Sequence, residues 1–373
     1  MTLTIKKIIL KRLNMTLKNP FKTSFGTVQD KDFFIIEIHD NTGLIGYGES
    51  VAFSSPWYTE ETTETTLHVM RDFLIPLLQT HSISHPKEVP EIFNAIRGNN
   101  MAKAALETAV WDLYAKQLKM PLYKLIGGTQ LNISAGVSLG IEADTSQLIN
   151  KIKHHVNQGV KRVKIKIKRD HDIDVIKKVR SIFPHLSLMV DANSAYSLKD
   201  IEHLKKFDDY NLLMIEQPLG HDDISEHAVL QKELQTPLCL DESIYSLEDV
   251  KLAHKLGSCK VINLKLGRVG GLTEAIKIHD YCLMHNIDLW CGGMLEAGVG
   301  RAHNIALSSL PGFNLPGDTG ASRDYWYNDI ITPEVTLVNG QIKQTNHFGI
   351  GYKINQKHLD HYLVDEIHFK NFK

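Results

Sequence analysis

The chain has only four cysteines in 373 residues, Cys239, Cys259, Cys282 and Cys291, and no two form a CxxC pair. No disulfide framework is implied, and their apolar or helical context suits buried thiols in a reducing compartment. No apolar run comes near the roughly 18 residues that would cross a bilayer. An excess of charge of either sign is also missing: 42 Lys+Arg face 43 Asp+Glu, a net charge of -1. That balance argues against a nucleic-acid or membrane-surface partner. The opening MTLTIKKIILKRLNM has neither an apolar core of about seven residues nor a small-residue cleavage site. It reads as a strand and not as a secretory leader, and a cytoplasmic protein is expected.

What the sequence does contain is the balance of a globular protein, 43% hydrophobic and 23% charged. At about 150 residues per domain the chain is too long for one ordinary domain. KDFFIIEIHD, NTG and LIGYGES read as a hairpin. TEETTETTLHVMRDFLIPLL and MAKAALETAVWDLYAKQ then carry apolar residues at helical spacing, the second ending before Pro121. Residues 1–125 are therefore expected to form a small α+β domain. From Ile133 short apolar runs alternate with amphipathic segments: ISAGVSLGI, RVKIKIK, LSLMVDAN, LLMIEQPL, PLCLDES, VINLKLGR, IDLWCGG and FNLPGDTG are the runs. Eight strands alternating with helices predict a closed (β/α) barrel over residues 126–323. Residues 324–373 are expected to return to the first domain.

RVKIKIKRD, from Arg162, places Lys164, Lys166 and Lys168 on one face of a strand and Val163, Ile165 and Ile167 on the other. Taken alone it suits a solvated edge strand. Neighbouring units change the reading, because charge recurs at matching strand ends: Asp191 after LSLMV, Glu216 after LLMI, Asp241 after PLCL and Lys265 after VINL. Helices cover the outside of such a barrel, so polar strand residues point into its lumen and functional groups gather at the carboxyl ends of the strands. Lys164 and Lys166 are then inward, with Lys168 nearer the rim. Asp191, Glu216 and Asp241 offer three hard oxygen donors, which suit Mg²⁺, with Mn²⁺ as a substitute. The competing role for each Asp is a helix N-cap. Ser197 and Ser246 are better placed for that, both in segments resembling capping boxes, and Glu216 is followed by Gln217 and Pro218.

Lys166 and Lys265 fall on opposite sides of the three acids. Burial and a neighbouring cation, Lys164 for Lys166, favour a neutral amine with its pKa lowered to about 7 to 8, where it acts as a base. A base on each face of a metal-bound carboxylate suggests proton abstraction next to that carboxylate. A Schiff base on Lys265 would leave three carboxylates unused, and a solenoid would need repeats alike in sequence. WCGGMLEAGVG from Trp290 could offer backbone donors to an anion. PFKTSFGT, Pro20 to Thr27, suits a lid or a plain loop, and Trp57 and Tyr58 suit pocket closure or packing. His154, His155, His203 and His279 are expected on helix surfaces, and His303 in a structural role.

The motifs KIK at Lys164, DAN at Asp191, IEQP at Glu216, DES at Asp241 and NLKLGRVGG at Lys265 resemble the enolase superfamily in its muconate-lactonizing subgroup, nearly end to end. The resemblance implies a (β/α)7β TIM-like barrel with an N-terminal α+β capping domain completed by the C-terminus, Mg²⁺ and two catalytic lysines. PFKTSFGT, PWYTEET, DANSAY and WCGGMLEAGVGRAHNIAL resemble the family of o-succinylbenzoate synthases and N-succinylamino acid (N-acylamino acid) racemases. On that resemblance Asp191, Glu216 and Asp241 hold the metal and Lys166 removes the α proton. Lys265 stabilises the enediolate in a dehydration, or returns a proton in a racemisation; Lys164, the cation beside Lys166, is expected to assist these two catalytic lysines. Ser138, Asn193, Gly293, Met294 and Glu296 are expected to contact a small carboxylate substrate, and a homo-oligomer is expected.

Overall fold

The computed structural model describes residues 3–23, 26–142 and 144–372, so Ser24 and Phe25 of the expected lid loop lie outside the described residues. The amino-terminal part builds a four-stranded antiparallel sheet, Ile5–Lys22 beside Thr27–Asp40 and then Ile45–Glu49, with Leu363–Phe369 on the outer edge. The carboxyl-terminal strand thus pairs with the first, Ile8 facing Phe369. Helix Asn100–Gln117 crosses this sheet at close range. GlyTyrGly makes that possible: a Cβ on Gly46 would sit 2.2 Å from the Ala109 carbonyl oxygen, and one on Gly48 2.0 Å from that of Ala105. Residues with side chains there would push the helix away.

Seven parallel strands follow in one sheet: Gly136–Leu139, Arg162–Lys166, Ser187–Asp191, Ile215–Glu216, Leu238–Leu240, Val261–Leu264 and Asp288–Cys291, each beside its sequence neighbour. The eighth expected strand, FNLPGDTG, is not a regular one, since Pro316 has no N–H to give a ladder. It closes the barrel all the same. Leu315 N and Asp318 N donate to Leu289 O and Cys291 O, while Gly136 N donates to Gly317 O on the other side.

Val163, Ile165 and Ile167 pack outward among helix residues such as Ile152, Ile176 and Val179. The alternate residues face the lumen, where Met189, Met214, Cys239, Val261 and Trp290 form an apolar floor. Lys164 lies above it, its Nζ 4.7 Å from the Trp290 ring. Lys168 is exposed at the rim. The edge-strand reading of RVKIKIKRD is therefore excluded, because this strand is paired on both sides.

The helix that lies on the antiparallel sheet also grips the barrel. Glu107, fully buried, accepts from Leu272 N, Thr273 N and Thr273 Oγ1 at the start of helix Leu272–Met284, and from Trp111 Nε1. A carboxylate there complements the positive end of the helix. Burial pushes its pKa up to about 7 while those donors hold it down. Glu107→Ala would leave several buried donors without an acceptor, a loss of about 3 kcal/mol. A thermal melt should show Tm lower by about 5 °C; an unchanged Tm would mean that this cap does not tie the two parts together. No described helix is long and apolar enough to cross a membrane.

Candidate active site

The strand register delivers the charged groups to one level. Lys166 pairs with Asp191 across adjacent strands and Asp191 with Glu216 across the next two. Asp241 directly follows Leu238–Leu240, and Lys265 directly follows Val261–Leu264. Beyond two of the acids the chain turns sharply, with Asn193 and Gln217 at φ of 42° and 37°. Gln217 Oε1 accepts from Asp241 N at 2.9 Å and so fixes the next strand end.

All six expected metal and lysine residues are buried at the barrel mouth. Lys166 Nζ lies 2.5 Å from Asp191 Oδ2 and 2.7 Å from Asn193 Oδ1. Lys164 Nζ lies 3.0 Å from Glu216 Oε2, 3.3 Å from Asp191 Oδ2 and 3.1 Å from Asp318 Oδ2. Lys265 Nζ reaches Asp241 Oδ2 and the Tyr58 hydroxyl, both at 2.8 Å. Between Lys166 and Lys265 run the three strands that end in acids, so the amines stand on opposite flanks.

The electrostatics differ from the sequence expectation of a lowered pKa at Lys265. Burial alone would lower Lys265, but Asp241 and Tyr58 overcome it and hold its pKa raised. Lys164, expected as the cation beside Lys166, is raised despite burial by Asp318, Glu216 and Asp191. The 2.8 Å approach of Asp241 to Lys265 decides the balance, and a sequence pattern does not give that distance. Among the acids, Asp241 is held well below the usual range against its burial by Arg268 and Lys265. Glu216 goes the other way, up to about 8, through burial and then through Asp191 and Asp241.

The three carboxylates repel one another. Among the described residues, no three acid, His or Cys side chains are close enough to chelate an ion as they stand, because ammonium groups lie between the carboxylates. The donor set nonetheless suits a hard divalent ion: three carboxylates at adjacent strand ends, with Asn263 Oδ1 and Glu242 Oε2 beside them as buried acceptors that lack a donor. Oxygen ligands of this kind select Mg²⁺ or Mn²⁺ over softer metals.

The cleft above is lined by Lys164, Lys166 and Lys265 and by all five expected substrate contacts, Ser138, Asn193, Gly293, Met294 and Glu296. Phe21, Thr23, Phe53, Trp57 and Tyr58 from the antiparallel part also line it, and Trp57 stacks on Phe53 with centroids 4.7 Å apart. Four participants were not foreseen as such. Asp318 follows the irregular closing segment and pairs with Lys164 and Arg162. Arg268 binds Asp241 and the Tyr58 hydroxyl. Arg268 stands in the quoted NLKLGRVGG, one helical turn beyond Lys265, which was its only signal. Glu242 accepts from Asn193 Nδ2, and buried Lys31, on strand Thr27–Asp40, donates to Met294 O. His279 is a correction: it is buried, accepting from Gly312 N and stacked on Phe313.

Known proteins resemble this chain along most of its length. Residues 5–127 match the family model described as mandelate racemase / muconate lactonizing enzyme, N-terminal domain, and residues 147–358 match enolase C-terminal domain-like. An o-succinylbenzoate synthase from Geobacillus kaustophilus is 55% identical over 362 residues, 97% of this chain and 96% of that one. An N-succinylamino acid racemase from Thermus thermophilus is 41% identical over 342 residues, 92% of each chain. The crystal structure of an enolase superfamily member from Listeria innocua superposes with a TM-score of 0.96 at 47% identity, covering 99% of this chain and 100% of that chain.

Proposed function

The chain belongs to the mandelate racemase / muconate lactonizing enzyme family of the enolase superfamily, and from that premise we propose that it is an o-succinylbenzoate synthase. It dehydrates 2-succinyl-6-hydroxy-2,4-cyclohexadiene-1-carboxylate in menaquinone biosynthesis. The observation that carries this reading is the pair of buried amines flanking three converging carboxylates in a cleft that the antiparallel sheet helps to close. In this reading residues 126–323 form the catalytic barrel, capped by 1–125 and 324–373. A homo-oligomer in the cytoplasm belongs to the same reading.

Lys166 takes the proton from the ring carbon that bears the carboxylate. The electron pair moves into that carboxylate as an enediolate and then returns to expel the neighbouring hydroxyl. The proton held on Lys166 leaves with it as water, so atoms balance and the ring becomes aromatic. Lys265, kept as a cation by Asp241 and Tyr58, stands across the cleft and stabilises the negative charge. Mg²⁺, or Mn²⁺ in its place, held by Asp191, Glu216 and Asp241, would supply the fixed positive charge that acidifies the α proton. Asn193, hydrogen-bonded to both Lys166 and Glu242, orients the base. Ser138, Gly293, Met294 and Glu296 shape the wall against which the succinyl arm lies.

Racemisation of N-succinylamino acids is the second reading, favoured by the same flanking amines and by the Thermus relative. There Lys265 would return the proton on the opposite face. Two assays on purified protein divide them. Loss of the cyclohexadiene absorbance is expected with Mg²⁺ present; deuterium exchange and inversion of N-succinyl amino acids without any dehydration would overturn the synthase reading.

A further inference from the structure

Among the described residues Arg301 is a cation of the cleft with no ion-pair partner. Arg301, on helix Gly298–Leu307, is 3% exposed and lines the same cavity as the lysines. Two of its nitrogens donate to main-chain carbonyls, Nη1 to Gly320 O at 2.7 Å and Nη2 to Glu296 O at 2.8 Å. Its Nε–H is buried without an acceptor, and among the described residues no carboxylate stands within ion-pair distance.

The acids nearby are already engaged. Glu296 accepts from Asn304 Nδ2, Asp329 from Ser322 Oγ and Gly298 N, and Glu49 from Ala297 N and Gly300 N. Arg301 sits over the Tyr325 ring at 4.5 Å, which orients the guanidinium but does not neutralise it. A buried cation without a partner is costly unless something pairs with it. The feature is also well placed, because helix Gly298–Leu307 follows the seventh strand while the three acids end the third, fourth and fifth.

We propose that Arg301 anchors a second carboxylate of the substrate, the one ending its succinyl arm. The proposal rests on the synthase reading only for the identity of that arm. The chemistry it requires is a dicarboxylate whose second acid group reaches this end of the cleft. A guanidinium matches it because its planar fork binds a carboxylate through two parallel N–H groups.

The test compares two ligands of the Mg²⁺-loaded protein by calorimetry: o-succinylbenzoate, and 2-butanoylbenzoate, which carries a methyl group in place of the distal carboxylate. Wild type is expected to bind the dicarboxylate about tenfold tighter or more. In Arg301→Gln the gap should shrink to about twofold or less with the monocarboxylate little changed, and Arg301→Lys should restore part of it. Equal binding of both ligands by wild type, a gap that survives Arg301→Gln, or an equal loss for both ligands would overturn the proposal. If Arg301→Gln fails to fold, Arg301→Lys decides: a wild-type gap that it leaves whole counts against a bidentate anchor, and a narrowed gap supports it. The function is judged separately. A protein that never dehydrates the cyclohexadiene yet shows the Arg301-dependent gap loses the synthase reading and keeps this one; normal dehydration with an Arg301-independent gap does the reverse.

Discussion

Lys166→Ala is expected to lower the rate of dehydration by about 10³-fold or more, the upper part of the range for loss of a general base. The loss should be seen in turnover and not in binding. Lys166 is buried against Asp191 and Asn193, 2.5 and 2.7 Å away, and the other inward amines cannot take its place. Lys164 is spanned by Glu216, Asp191 and Asp318, and these hold its proton firmly. Lys265 lies beyond three intervening strands and keeps its proton through Asp241. Asp191 retains Lys164 as a partner in the variant, so the fold should survive. Steady-state rates with the cyclohexadiene substrate and the affinity for o-succinylbenzoate check this together. The affinity is expected within about threefold of wild type, and near-normal turnover would remove Lys166 from the chemistry.

How much of this site could be read from the sequence depended on whether position in the chain reports position in space. On regular barrel strands it does. One inward charge at each strand end is enough to place Lys166, Asp191, Glu216, Asp241 and Lys265 around one mouth, and helix-covered strands explain why three lysines alternate with Val163, Ile165 and Ile167. Irregular backbone breaks that link. Asp318 pairs with Lys164, yet it follows a closing segment interrupted by Pro316 and Gly317, where no alternation marks an inward residue. Tyr58 arrives from the antiparallel part, 207 positions from Lys265, so only tertiary structure reveals that its hydroxyl touches that amine. The lowered pKa expected at Lys265 failed for a related reason: burial is visible in a pattern, whereas the distance to Asp241 is not. The helix-surface expectation for His279 failed because Gly312 and Phe313 fold back over that face.

Removing the divalent ion should cost activity far more than stability. Chelation is expected to reduce dehydration by about 10³-fold or more, since a metal ion stabilises developing charge by several kcal/mol, and added Mg²⁺ should restore it. The fold should persist because the acids at the mouth have cationic partners of their own. Asp191 has Lys164 and Lys166, Glu216 has Lys164, Asp241 has Lys265 and Arg268, and Asp318 has Arg162 and Lys164. Removing one such partner from a buried pair is far more damaging than leaving the network to close on itself. A thermal scan in chelator should therefore give a cooperative transition within a few degrees of the Mg²⁺-loaded protein, while Asp241→Ala, which strands Lys265 and Arg268 together, should melt well below both. Full activity in excess chelator would mean that these carboxylates serve the lysines and no metal, and collapse of the fold in chelator would mean that the ion pairs do not hold the mouth together.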